Sequence, residues 1–410
     1  MKMKTMFAVA GVVCMTASSA SAVGTNVYIT GSSAFRGALM TYLRSKLTNT
    51  RAVFEKAVNT TDLTKSVDAS SFIVMSGNFN GAGTTTTFFL AFTGSVSGVR
   101  DVAGPVAQNF PILPVDFSSN AAYVLDPGND NVSPFGGVAG VTSNTSGNLI
   151  SASTSNIPDI GFSDVFQSST IYTGTMIDTQ VAVLPFVWIT APGGSAAGIT
   201  NITPQIAQSL YKAGTLQLPH FSGNPGDAGK FVYAVGRTDD SGTRLSAMAE
   251  TGVGVSAGLH QYFPVGNPVT SYADQGNGGY ISGGTLSTNM KSTTTPANGL
   301  SVAYVSVSDA EATIGATTLS HNGVSFTTTL SGATAVAADT VDVPLITEGK
   351  YTFWCYEHLL NRAGTSGDAL TVLNNLKANL ATSFTSSRKT IRLDAMQCER
   401  TTDGEVVNHY

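Results

Sequence analysis

Asn26-Val27-Tyr28-Ile29-Thr30, followed by Gly31-Ser32-Ser33-Ala34-Phe35, is the stretch whose reading decides the fold. Asn26 to Thr30 reads as a short strand, and Gly31-Ser32-Ser33 breaks it. From Ala34 onward the apolar residues Phe35, Leu39, Leu43 and Leu47 recur every four positions, the spacing of an amphipathic helix. The order is strand, Gly/Ser turn, helix. Such a turn leaves backbone N–H groups pointing out of the helix N-terminus, where an anion can bind.

The same alternation recurs further along. Residues 68 to 158 are rich in Thr, Ser, Gly and Asn and read as surface loops with short β-like runs such as Phe88 to Phe92. Asp159 to Ser163 looks like a strand end, and the continuous apolar run Val181 to Thr190 like a buried strand. Thr203-Pro204 starts a helix as N-cap and first-turn proline, running through Ile206, Leu210 and Tyr211 to Gly214. Lys230 to Val235 reads as a strand, leading through Arg237-Thr-Asp-Asp-Ser-Gly-Thr243 into a helix that begins near Arg244. Residues 315 to 330 suggest a hairpin turning at His321-Asn322-Gly323. Tyr351 to Asn361 and Asp368 to Leu380 read as C-terminal helices. Strands alternating with helices imply an α/β architecture, and 410 residues suit two domains or one two-lobed body.

Composition narrows the class. The chain has 21 basic and 26 acidic residues, a net charge of -5, and no basic stripe, so nucleic acid is not the expected partner. Charged residues are only 11% of the chain, and Ser, Thr, Asn and Gly supply the polar surface instead, which leans toward an exported protein. At the N-terminus, Lys2 and Lys4 precede the apolar run Met6 to Met15, and Ala20-Ser21-Ala22 gives a small-residue cleavage pattern. Residues 1–22 are therefore expected to be a signal peptide, with a mature start near Val23 and a periplasmic or extracellular destination. Val13 fits poorly before Cys14 as a lipidation site. Without the leader, Cys355 and Cys398 remain, an even number for an oxidising compartment. A disulfide tying the C-terminal segment to a helix near Trp354 is the expectation, with two buried thiols as the alternative. The five His are scattered, so no metal site is expected.

Three segments place glycine and polar residues where the chain enters a helix: Gly31 to Phe35, Gly94-Ser95-Val96-Ser97-Gly98-Val99-Arg100, and Arg237 to Thr243. A capped helix would explain any one of them alone. The third says most. Ser241-Gly242-Thr243 offers hydroxyls and backbone N–H donors, and Arg237 adds a forked cation suited to an oxyanion. Asp239 and Asp240 are placed to orient Arg237 through an ion pair.

In these segments, taken in order with Asp159-Ile-Gly-Phe-Ser-Asp164, Thr203-Pro204, Gly299 to Tyr304 and the run from Asn322-Gly323 to Tyr351, the chain resembles the phosphate-binding proteins of bacterial phosphate ABC transporters, within the type II periplasmic solute-binding proteins. The resemblance implies a two-lobed periplasmic-binding-protein-like fold with a ligand cleft between the lobes. Lobe 1 would hold residues 23–180 and 345–410, with a β- and loop-rich insertion at about 103–157. Lobe 2 would hold 181–344. It also implies roles. Ser33, Ala34, Phe35 and Ser95 would donate to phosphate from two helix N-termini, Arg237 would pair with it, and Ser241, Gly242 and Thr243 would close the other side. Asp164 would accept a hydrogen bond from a ligand proton. Sulfate, fully ionised, has no such proton and would leave the carboxylate unpaired, a penalty of roughly 1–3 kcal/mol or more. Asp164 or Ser163 as a helix N-cap is the plainer alternative. The implied partner is an ABC permease, the expected state a monomer, and no cofactor is called for. Departures from the family pattern are Ala34 in place of a common Thr, Asp240 in place of a Gly, and the insertion.

Other classes fit less well. Gly254-Val-Ser256-Ala-Gly258 has the form of a nucleophile elbow, but His260 follows without an intervening acid. Gly223 to Lys230 lacks the first glycine of a P-loop at Asn224 and has Phe231 where Ser or Thr belongs. Asp126 to Asn131 does not follow an EF-hand pattern. An enzyme is not expected. A secreted structural or surface-interaction protein on the same fold, or a binder of another oxyanion, remains the alternative.

Overall fold

The structure is a computed structural model that describes residues 25–57, 70–80, 85–113, 117–119, 123–125, 141–143, 153–311, 317–326 and 333–410. The expected signal peptide and much of the expected insertion lie outside the described residues.

The opening stretch folds as its pattern dictates. Strand β1 (Thr25–Gly31) leads through the Ser32–Phe35 turn into helix α1 (Arg36–Lys46), which buries Leu39, Met40, Tyr42 and Leu43. Each fully buried side chain of this kind contributes roughly 1.5–3 kcal/mol. The four-residue spacing stops being helical at Leu47, where β2 (Leu47–Ala57) begins. β2 pairs antiparallel with β3 (Phe72–Phe79), and β3 with β4 (Thr85–Ala91). β4 lies parallel to β1, and a glycine-started helix, α2 (Ser95–Ala103), follows it. On its other edge β1 pairs in parallel with β5 (Ile160–Ser163).

The long strand β6 (Ile177–Thr190) joins two halves of one mixed sheet. Residues 177–185 pair with β10 (Trp354–Asn361), and residues 186–190 pair with β8 (Leu300–Ser306). Beyond β8 lies β7 (Phe231–Ala234), in parallel register. Beyond β10 lie β5, β1, β4, β3 and β2. The second half carries α3 (Pro204–Ala213), capped by the Thr203 hydroxyl accepting from the Ile206 N–H at 3.3 Å and ended by left-handed Gly214, and α4 (Gly242–Glu250). The C-terminal helix α5 spans Gly367–Asn379. The architecture is thus α/β with a large mixed sheet. Its core is continuous from α1 to the aromatic group of Trp188, Tyr211, Tyr304 and Phe353. Among the described residues no helix is long and apolar enough to cross a membrane.

Two expectations need correction, and a third falls partly outside the described residues. Tyr351 to Asn361 is not a helix: Trp354–Asn361 is a strand, buried at every position between β6 and β5. A short apolar run buried on both faces has no period that separates strand from helix. The expected disulfide is absent, and Cys355 and Cys398 are free, buried thiols. Neighbouring residues on a strand face opposite ways. Cys355 lies within electrostatic reach of Asp164 and bonds weakly to the Leu184 carbonyl, whereas Cys398 lies within electrostatic reach of Tyr356 and against the Thr347 carbonyl at 3.5 Å. Of the hairpin expected at residues 315–330, the first limb is β9 (Thr317–His321), which pairs with β6. The turn itself stands where expected: Asn322 and Gly323 take positive φ of 48° and 84°, and His321 bridges to Val324. Residues 315, 316 and 327–330 lie outside the described residues.

Candidate functional site

Three chain turns meet at the ends of β1 and β5. Gly31 (φ 122°) has no room for a side chain, because a Cβ there would lie 1.9 Å from the Phe162 carbonyl oxygen. The Ser32 N–H donates to that same oxygen at 2.9 Å, and the Gly94 N–H donates to the Gly31 carbonyl at 3.1 Å. Gly98 in α2 sits equally tight, its Cβ position 2.2 Å from the Phe162 oxygen. Glycines at these positions let the start of α2 lie directly on backbone.

The N-terminus of α2 then crosses to the other half of the sheet. The Val96 N–H donates to the Asp240 carbonyl at 3.2 Å. A Cβ on Gly242, the first residue of α4, would meet Asp164 Oδ1 at 1.6 Å and Ser95 Cβ at 2.6 Å. Ser95, Asp164 and Gly242 therefore converge on one point, between the N-termini of α2 and α4. The Ser241 hydroxyl caps α4 by accepting from the Arg244 N–H at 3.3 Å, and Thr243 is buried beside it.

Asp164 is buried, and its Oδ1 has no hydrogen-bond partner among the described residues. Burial pushes its carboxyl up to about 6. The Ser95 hydroxyl and the positive charge of Arg237 pull it down, and the charge of Asp403 adds to the rise. The Arg237 guanidinium is buried too. Its Nε donates to the Tyr280 carbonyl at 3.1 Å, its Nη2 donates to the Ile281 carbonyl at 2.8 Å, and its main-chain N–H donates to the Tyr304 hydroxyl at 3.1 Å. Burial lowers its pKa, the charges of Asp309 and Asp164 support it, and the like charge of Arg36 opposes it. Tyr304 of the aromatic core thus fixes the Arg237 main chain, and the Tyr280 and Ile281 carbonyls hold its guanidinium within electrostatic reach of Asp164.

The expectation that Asp239 and Asp240 orient Arg237 is corrected. Asp240 faces Arg100 at 3.7 Å across the α2–α4 contact. Asp309, held by the Ser306 hydroxyl at 2.8 Å, acts on Arg237 together with Asp164. Asp309 lies far along the chain and no local pattern pointed to it.

Of the predicted site residues, Ser95, Asp164, Arg237, Ser241, Gly242 and Thr243 are brought together. The first turn joins them through other atoms than expected. Its Ser32 is fully buried, and the Ser32 hydroxyl accepts from the Phe35 N–H at 3.2 Å, so that N–H is occupied. The Phe35 ring packs on Phe162 at 5.7 Å, Ala34 lies against the core, and Ser33 is half-buried. Arg36 was also missed; its position at the start of α1 beside a Gly/Ser turn was the available signal. To the side of the contact a cavity of about 260 Å³ opens between the two halves, lined by Val96, Tyr172, Asp240, Arg244, Val255 and Asn277. Ser256 lies on the same cavity, in a loop after α4 rather than in a strand-to-helix elbow, and His260 pairs with Asp274 at 2.8 Å. Among the described residues no cluster of His, Cys, Asp or Glu could hold a metal ion.

Solved phosphate receptors resemble this chain. One, described as a phosphate ABC transporter substrate-binding protein with bound phosphate from Clostridium perfringens, is 12% identical with a TM-score of 0.43, covering 90% of this chain and all of that one. PstS from Borrelia burgdorferi is 14% identical with a TM-score of 0.35, covering 86% and 91%. An ABC-type phosphate transport receptor from Vibrio cholerae is 13% identical with a TM-score of 0.33, covering 54% and 75%. No family model matches the sequence, and no curated protein matches it.

Proposed function

We propose that this chain is an exported solute-binding protein that captures inorganic phosphate between two lobes and delivers it to an ABC permease in the periplasm. The observation that carries this reading is the convergence of two helix N-termini on Asp164. α2 comes from one half of the sheet, α4 from the other, and buried Arg237 stands beside them. N–H groups at helix ends, hydroxyls and one fixed guanidinium are the donors an oxyanion needs. Asp164 is the selective element. Its free Oδ1 is an acceptor that protonated phosphate satisfies and sulfate does not. The lobes are residues 23–180 with 345–410, and 181–344, so β6 and the segment entering β10 form the hinge. The chain acts as a monomer, without catalysis.

Calorimetric titration of phosphate and then sulfate into the mature chain tests this. The expected result is saturable phosphate binding, little sulfate binding, and loss of both in Arg237→Ala. Binding of sulfate as tight as phosphate would replace phosphate with another oxyanion. Binding of neither would turn the same fold into a structural or surface protein.

A further inference from the structure

A second carboxyl lies at the floor of this site. Glu357 is on β10, one residue before His358, which pairs across the sheet with Ser163. Asp164 directly follows Ser163, the end of β5, and its charge acts on Glu357. It is fully buried, and neither of its carboxyl oxygens has a hydrogen-bond partner among the described residues. Asp164 Oδ1 is in the same position. The groups that face the pair are Ser32 from the turn after β1, Ser95 from α2, Cys355 from β10 itself, Arg237 from the loop before α4, and Asp403 from the C-terminal segment. Arg237 acts on Asp164. On Glu357 the acting groups are Asp164, whose charge opposes ionisation, and the Ser32 hydroxyl, which favours it weakly against the cost of burial. Burial and the neighbouring carboxylates also keep Cys355 a neutral thiol. Two ionised carboxylates here would be two buried charges, with the Arg237 cation acting on Asp164. Such a pair holds on to a proton.

We propose that Glu357 and Asp164 form a proton-holding pair beneath the anion site, which makes capture of a protonated oxyanion proton-coupled. This rests on the anion-binding reading of the site. Glu357 keeps its proton and stays neutral, and Asp164 can then ionise and accept the hydrogen bond from the ligand. When alkaline pH removes the Glu357 proton, the new charge opposes both Asp164 and the anion, and affinity falls. Glu357 acts through Asp164 and is a positioning residue.

Two measurements decide it. In the ligand-free protein near neutral pH, infrared spectroscopy is expected to show a buried protonated-carboxyl band that disappears in Glu357→Gln and persists in Asp164→Asn. Absence of that band, or its survival in Glu357→Gln, overturns the pair. In calorimetry with inorganic phosphate between about pH 6.5 and 9.5, wild-type affinity is expected to fall about tenfold further than that of Glu357→Gln. Parallel pH profiles overturn the coupling. If phosphate binds the wild type at no pH, the phosphate reading falls, while the infrared result still decides the pair. A melting curve for Glu357→Gln shows whether the variant is folded, and Asp164→Asn provides the second variant if it is not.

Discussion

Asp164 ionises against its surroundings, and that has a measurable cost. Burial raises its pKa from 3.8 to about 6, so the folded chain holds this proton more tightly than the unfolded chain does. The penalty is absent below 3.8, grows as pH rises to about 6, and stays constant above that. A displacement of that size corresponds to roughly 3 kcal/mol. Asp164→Asn is therefore expected to raise ligand-free stability near neutral pH by up to about 3 kcal/mol. The gain should vanish below pH 3.8 in denaturant melts run across pH. The same variant should lose its preference for phosphate over sulfate. Arg237 behaves in the opposite way. Removing it takes away the cation that acts on buried Asp164, and Arg237→Ala is expected to cost about 3–5 kcal/mol of stability. Arg237→Lys is the gentler probe. A lysine cannot hold the Tyr280 and Ile281 carbonyls in one plane and still face the anion, so phosphate binding should weaken about tenfold or more in calorimetry.

At the scale of elements, the site depends on how closely backbone meets backbone. Gly98→Ala would place a methyl 2.2 Å from the Phe162 oxygen and push α2 off β5. Strain of this kind costs roughly 1–3 kcal/mol, and the expected result is a lower melting temperature together with weaker anion binding. Gly242→Ala places its methyl on Asp164 Oδ1. Because α4 belongs to the other half of the sheet, the expected result is abolished binding with a smaller loss of stability than Gly98→Ala. Equal losses in both variants would mean that the α2–α4 contact is structural alone. Gly/Ser turns at residues 31–35 and 94–99 were legible because glycine and hydroxyl residues stood directly before helical spacing. β10 was not legible. Its residues Trp354 to Asn361 are buried on both sides, and a run of that kind looks the same whether it winds or extends.

At the scale of the whole molecule, β6 and β10 carry the chain between the two halves, and α2 touches α4 across them. A ligand held by both helices should lock that contact. Phosphate at about 100 times its dissociation constant is expected to add about 2.7 kcal/mol to unfolding stability. It should also shift small-angle scattering toward a more compact particle, whereas an unchanged profile would mean that the halves are already fixed. The thiols give a second whole-molecule check. The chain from Val23 is expected to release two free thiols on unfolding, and its melting temperature should be indifferent to reductant.

The sequence by itself determined the alternation of strand and helix, the glycine turns that open α1, α2 and α4, the Thr203 cap, and the identity of most residues that converge on Asp164. All of these are set by neighbours a few positions away, through backbone geometry and period. Tertiary structure alone decided the rest. Asp309 rather than Asp239 or Asp240 stands by Arg237, Arg100 takes Asp240, and Cys355 and Cys398 stay apart because a strand turns adjacent side chains to opposite faces. Glu357 joins the site only because β10 lies beside β5 in one register. Such contacts join residues up to hundreds of positions apart, and no local pattern encodes which of them will be neighbours.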